Sequence, residues 1–326
     1  MLKNKYGELR GGWMLALSQA VLLIPQTIIS LIVGLLAVAQ VGTATLLTNP
    51  NALVEASVAL LNSTALTAIL YTLMIGSMLL LFWLVYKRPL RQMGFYSTGW
   101  IKQLLFGSLF GIVLIVLSLV LLLLSGTAQI ASVDWRGLGN ALFWGGLVNF
   151  IFVGFFEEIL SRGIMMTALK STRSKWVIVL IPSILFGLMH IFNQNVTVFS
   201  LLNIMVVGIL FAYLFIKTGR LWAPIGFHIT WNFFQGYVFG IPVSGGAPSV
   251  SVMNVIFTGS DWLTGGAFGI EGGAACTIAI ILGLVFVHFC LKQTNDFWRI
   301  DSDLPLTRGA AIPTEAVEDS AFSPVE

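Results

Sequence analysis

Charge is the scarcest commodity in this sequence. Only 10% of its 326 residues are Asp, Glu, Lys or Arg, where ordinary soluble domains carry about a quarter. With 57% hydrophobic residues and a mean hydropathy of +0.92, the chain has too little polar surface to clothe a soluble globule. That excludes a soluble enzyme and indicates a polytopic membrane protein. The net charge is only +3 and the basic residues fall in short loops, which excludes nucleic acid as a partner. Cysteine is nearly absent. Cys276 and Cys290 lie on one predicted helix, about 21 Å apart along its axis, too far to bridge each other. Neither belongs to a redox or metal-binding spacing. Histidine is as scarce, at three residues, and no HExxH pattern occurs, so the commonest zinc-protease signature is missing.

What the chain has instead is long apolar runs. Eight are read as spans, at residues 13–38, 66–86, 104–125, 140–169, 176–192, 198–216, 221–241 and 274–291. Each is close to or above the ~17–25 residues that cross a bilayer. The first follows Lys3, Lys5 and Arg10, but it is far longer than the ~7–15-residue core of a signal peptide and reads as an uncleaved span. The fold class expected is therefore all-α, with residues 51–61 as a short interfacial helix.

Loop charges alternate. Lys3, Lys5 and Arg10 precede the first span; Lys87, Arg88, Arg91 and Lys102 follow the second. Lys170, Arg173 and Lys175 follow the fourth, Lys217 and Arg220 the sixth, and Lys292 and Arg299 the eighth. The intervening loops hold almost none, Arg136 excepted. By the positive-inside rule both termini are cytoplasmic, and the location expected is an integral, multi-pass protein of a bacterial cell membrane. Three regions follow: helices and loops over 1–139, a core over 140–292 and a disordered polar tail over 293–326. The segment 259–273 contains six glycines with Asp261 and Glu271, and reads as a compact or re-entrant loop.

The chemistry sits in the fourth span, at Phe155-Phe156-Glu157-Glu158-Ile159-Leu160-Ser161-Arg162. An ionisable group at membrane depth costs roughly 2.5–3.5 kcal/mol, so such groups are kept for a purpose. Glu158 and Arg162 are i,i+4 neighbours able to neutralise each other as a clamp. Glu157, about 100° around the helix, has no such partner. Phe186 precedes His190, and His228 precedes Asn232, at the same four-residue spacing. Phe186 reads as packing that orients His190. Counted from the cytoplasmic charges, Glu157 and His190 lie roughly 20 Å deep and His228 about 12 Å, so a tilt or a wet cavity would bring all three together. His288 has no such company and reads as structural. One unpaired carboxylate, two histidines and an amide make a hydrolytic set. Two His and a Glu (Glu157, His190, His228) are also a ligand set for a divalent metal such as zinc.

The three motifs EExxxR (Glu157, Glu158, Arg162), FxxxH (Phe186, His190) and HxxxN (His228, Asn232), in this order on separate spans, resemble the CPBP family of intramembrane proteases. That family takes in CAAX-type prenyl endopeptidases and bacteriocin-processing or immunity proteins. The likeness covers roughly residues 140–291. It implies hydrolysis of peptide bonds in a membrane-associated protein or peptide, with the lipid bilayer as the other partner. Glu157 would activate water with help from His190, and His228 and Asn232 would donate to the oxyanion. No cofactor is expected on this reading; zinc is the alternative. Two rivals of other classes are a non-catalytic immunity or regulatory protein on this scaffold and a proton-coupled transporter. The transporter would carry inverted repeats, which the sequence does not show.

Overall fold

A computed structural model describes residues 9–42, 45, 49, 51–61, 63–86, 90–172, 174–292, 294 and 297. Of the basic residues used above, Lys3, Lys5, Lys87, Arg88, Arg173 and Arg299 lie outside these, as does nearly all of the tail expected to be disordered.

The helices in chain order are α1 (Gly11–Val41), α2 (Ala52–Leu61), α3 (Thr64–Leu84), α4 (Trp100–Leu124), α5 (Ala141–Leu169), α6 (Lys175–Leu188), α7 (Val198–Thr218), α8 (Trp222–Phe233) and α9 (Ala274–Cys290). The protein is thus mostly helical. Five of these helices, α1, α3, α4, α5 and α7, are long and apolar enough to cross a membrane. The other three apolar runs expected to span form shorter helices. α6 stops at Leu188 and α9 has 17 residues. α8 has 12 residues and continues as one wide turn over Phe234–Val238. For α8 the reason is visible: Ala223 to His228 and Trp231 to Phe233 are buried by neighbouring helices. The ~20-residue requirement comes from lipid that cannot satisfy backbone polar groups, and a helix surrounded by protein escapes it.

Outer helices show the opposite pattern. On α1 the buried residues Met14, Ser18, Leu22, Pro25, Ile29, Val33 and Ala37 recur every three or four positions, which is one inward stripe. Its remaining faces are apolar but exposed, as at Leu23, Leu31 and Leu35, suited to lipid rather than water.

Two larger apolar clusters hold the helices together among the described residues. One gathers Met78, Phe82, Ile159, Leu160, Ile164 and Phe215 where α3, α5 and α7 meet. The other gathers Phe110, Ile115, Leu122, Phe211, Phe227 and Ile280 between α4, α7, α8 and α9. α4 and α8 pack backbone against backbone. A Cβ on Gly107 would strike the Ala223 carbonyl, and one on Gly226 would strike the Leu104 carbonyl. Thr230 Oγ1 donates across this seam to Ser108 O at 2.8 Å, a bond suited to helices without a hydrophobic drive between them. Pro224 sits in the first turn of α8, where its missing N–H has no partner to lose.

A two-stranded antiparallel sheet joins the loops, against the all-helical expectation. β1 (Ala128–Val133) pairs with β2 (Met253–Phe257), with a register shift between Ile130 and Ser132. The two strands lie too far apart in sequence for any hairpin signal to announce them. Residues 51–61 contain the short helix expected there. The glycine-rich segment folds into a helical turn, Asp261–Thr264, and two tight turns ending at Gly272. Gly269, at φ 104°, lies against the Pro242 carbonyl and leaves no room for a Cβ.

Candidate active site

α5 begins at an Asn140 cap whose side chain accepts from Leu142 N at 2.9 Å. Its α-helical part closes at Glu158 and gives way to wide i→i+5 turns over Ile159–Met166. Such widening inside a helix often accompanies functional sites. Arg162, within the widened stretch, is 1% exposed and Glu158 fully buried. Their contact survives the change of helix type, with Arg162 Nη1 donating to Glu158 Oε1 at 2.9 Å.

The arginine does more than neutralise its neighbour. Its Nη2 donates to Gly208 O of α7 at 3.0 Å. Its guanidinium lies 4.5 Å from the Phe186 ring centre and 4.9 Å from that of Phe211. One side chain therefore ties α5 to α6 and α7, by charge-assisted hydrogen bonds and cation–π contact together.

Glu158 Oε1 also meets His228 Nδ1 at 2.9 Å. A carboxylate held by an arginine only accepts, so Nδ1 carries the proton and the imidazole is locked in orientation. His228 stacks on Phe211, ring centres 5.2 Å apart and planes at 23°. Its other nitrogen, Nε2, points to Glu157 Oε2 at 3.7 Å. Glu157 Oε2 has no hydrogen-bond partner among the described residues, and its side chain keeps 16% exposure. The adjacent glutamates thus differ as the helix geometry predicts: Glu158 is tied down on two sides, whereas Glu157 faces open space.

That space is a cavity of about 380 Å³ lined by Glu157, His190, His228 and Asn232, with Tyr71, Phe156, Phe186, Trp231, Ser244 and Glu271 among its other walls. The four residues expected to act together are brought to one cavity. Their pairing differs from expectation in one respect: His228, not His190, is the nearest base to Glu157. His190 lies just past the end of α6, in the turn that follows Leu188. Its Nδ1 is 2.8 Å from Phe186 O, and because a carbonyl only accepts, Nδ1 donates and Nε2 is left with its lone pair in the neutral ring. Phe186 therefore orients His190 through its backbone as well as through its ring, 5.2 Å away at 65°. His288 is elsewhere on α9, 2.7 Å from Tyr213 Oη.

Glu271 is the residue that sequence reasoning missed as part of this site. It comes from the glycine-rich turns before α9, is 7% exposed and lines the same cavity. Its Oε2 accepts from Ser244 N at 2.9 Å and Ser244 Oγ at 2.6 Å. Burial pushes its carboxyl above the usual range, with the Ser244 bonds and the nearby histidines pulling the other way. The signal available was an acid in a glycine-rich segment; what it faces depends on the turn at Ser244, 27 residues earlier.

For a metal, Glu157 and His228 approach each other, but His190 does not join them. Among the described residues no group of three or more His, Cys, Asp or Glu side chains is placed to share one ion.

The fold and site together define an integral membrane protein with a buried carboxylate–histidine centre inside its bundle. Residues 139–234 match the family model Rce1-like, described as type II CAAX prenyl endopeptidase Rce1-like. The match runs from the start of α5 to the end of α8 and includes all seven motif residues; Ser244 and Glu271 lie beyond it. The resemblance read from the motifs holds over that segment, and it points to a membrane protease of the CAAX type. Neither curated proteins nor solved structures give a match to the chain.

Proposed function

We propose that this protein is an intramembrane endopeptidase in which Glu157 activates water without a metal. The observation that carries the reading is the division of labour between adjacent carboxylates. Glu158 is engaged by Arg162 and His228 through Oε1, whereas Glu157 Oε2 has no hydrogen-bond partner among the described residues and its side chain lines the cavity with His228 and Asn232.

Water bound at Glu157 would lose a proton to it and attack a substrate carbonyl, with the lone pair of His190 Nε2 helping to orient that water. The oxyanion would form within reach of His228 Nε2 and the Asn232 amide. Glu158 holds His228 through Nδ1, so an imidazolium here has both its protons directed, one to Glu158 and one to the oxyanion. Two glutamates, Arg162 and that imidazolium sum to zero charge, which suits a centre sealed in an apolar bundle. Preorganised donors of this kind are worth a few kcal/mol at the transition state. The family description suggests that substrates are proteins with a prenylated C-terminus. The apolar part of the cavity wall, with Phe150, Val153, Ile204 and Val207, favours a lipid-anchored or membrane-embedded peptide.

The test is turnover by purified protein, in detergent or liposomes, of matched C-terminal peptides with and without a prenyl group, before and after strong chelation. Wild type should cleave with chelator present, and Glu157→Gln should lose about 10²–10⁴ in kcat with an unchanged melting temperature. Activity abolished by chelator and restored by zinc would replace the metal-free reading. A fully active Glu157→Gln would end the assignment of the base.

A further inference from the structure

We propose that Glu271 is the general acid that protonates the leaving amine, so that the site works with two carboxylates from separate parts of the chain. The inference rests on the endopeptidase reading above, and extends it to a residue outside both the motifs and the matched segment.

The argument starts from hydrogen-bond direction. Ser244 N–H and Ser244 Oγ both donate to the same oxygen, Oε2, of Glu271. An oxygen accepting two donors is the poorer place for a proton, so when the carboxyl is neutral its proton sits on Oε1. None of the described residues engages Oε1, and the side chain lines the cavity that holds Glu157, His190 and His228. The residue is thus a buried acid on the wall of the site, with Oε1 left to carry its proton.

Its backbone is fixed as firmly. Asn203 Nδ2 donates to Glu271 O at 2.9 Å and to Gly273 O at 3.0 Å. Asn193 Nδ2 donates to Ser244 O at 3.0 Å, which ties the turn holding the carboxylate to the turn bearing His190. Neither histidine is as well placed to supply the proton. His190 gives its Nδ1 proton to Phe186 O, and His228 directs its Nδ1 proton to Glu158 and its Nε2 proton to the oxyanion.

Peptide hydrolysis needs both roles, because an amide nitrogen does not leave unprotonated. The attacking water gives one proton to Glu157 while its oxygen bonds to the carbonyl carbon. Collapse of the tetrahedral species breaks the C–N bond, and the nitrogen takes the proton of the neutral Glu271 carboxyl. The products are a carboxylic acid and an amine; Glu157 ends protonated and Glu271 ionised. One proton passed through solvent from Glu157 to Glu271 resets the pair. Two carboxyl groups in unlike environments, one partly open and one buried, are a general way of separating base from acid.

The experiment compares substrates identical except at the scissile bond, amide in one and ester in the other, because an alkoxide leaves with far less help from an acid. Glu271→Gln preserves the acceptor for both Ser244 donors. It should lower amide turnover by about 10²-fold or more and ester turnover by less than about threefold. Equal losses on the two substrates would mean a structural role only, and no loss on either would mean no role; both overturn the proposal. If Glu271→Gln does not fold, Glu271→Asp is used instead. It retains an acid at a different reach and should again slow the amide more than the ester, whereas equal slowing again overturns the idea. Glu157→Gln separates the two readings. It should be inactive on both substrates, and activity there would sink the base assignment without touching the Glu271 comparison.

Discussion

At the scale of single residues, the decisive feature is that one carboxylate oxygen, Glu158 Oε1, serves both Arg162 and His228 at 2.9 Å. From helix geometry alone, Glu158 would matter mainly for stability. Its contact with His228 couples stability to catalysis. Glu158→Gln is therefore expected to leave the fully buried Arg162 without its counter-charge, at a cost of roughly 3–5 kcal/mol, and also to release the His228 ring and lower kcat. Arg162→Gln should destabilise by a similar amount through the stranded Glu158 charge and the lost bond to Gly208 O. The double change should be milder than the sum of the two, because neither charge is then left alone. Melting temperature and turnover measured together on the three variants check this. Additive losses would mean that the pair is not the unit described.

At the scale of elements, the seam between α4 and α8 sets where His228 and Asn232 stand. Gly107 and Gly226 let two backbones touch, and α8 carries both site residues on successive turns. Gly107→Ala places a methyl group against the Ala223 carbonyl, so α8 must shift. Overpacking of this kind costs about 1–3 kcal/mol, and activity should fall further than stability alone explains. Gly34→Ala on α1, where nothing lies within 4 Å of the added carbon, is the control. It should be neutral or stabilising by up to about 1 kcal/mol. Thermal unfolding in one detergent, with turnover of the surviving fold, distinguishes a displaced site from a merely weakened bundle.

At the scale of the whole molecule, the alternating loop charges predict sidedness. A reporter fused after Lys292 should be cytoplasmic, and one inserted between residues 245 and 261 should be on the other face. The two on one side would mean that the shorter helices α6, α8 and α9 do not each carry the chain across. The layout also explains how a polar centre persists in so apolar a chain. Lipid-facing surface is left to the outer helices, as at Leu105 and Leu109 of α4. The charges meet in the interior, where each has a partner or faces the cavity.

Much of this was legible in the residues themselves. The scarcity of charge and the length of the apolar runs identified a membrane protein, because lipid imposes that composition on any chain that crosses it. Helical periodicity separated Glu157 from Glu158, since a 100° step is a property of the backbone alone. Three spaced motifs gave the resemblance that the family model matches over residues 139–234. The tertiary structure alone decided which partners those residues find: His228 rather than His190 beside Glu157, Gly208 O for Arg162, Ser244 for Glu271. It also decided that β1 pairs with β2 and that α8 is enclosed by protein. All of these join positions far apart in the chain. Local propensity and hydrophobic pattern carry no term for such pairings, which are settled only when distant segments pack and bring buried polar groups to their partners.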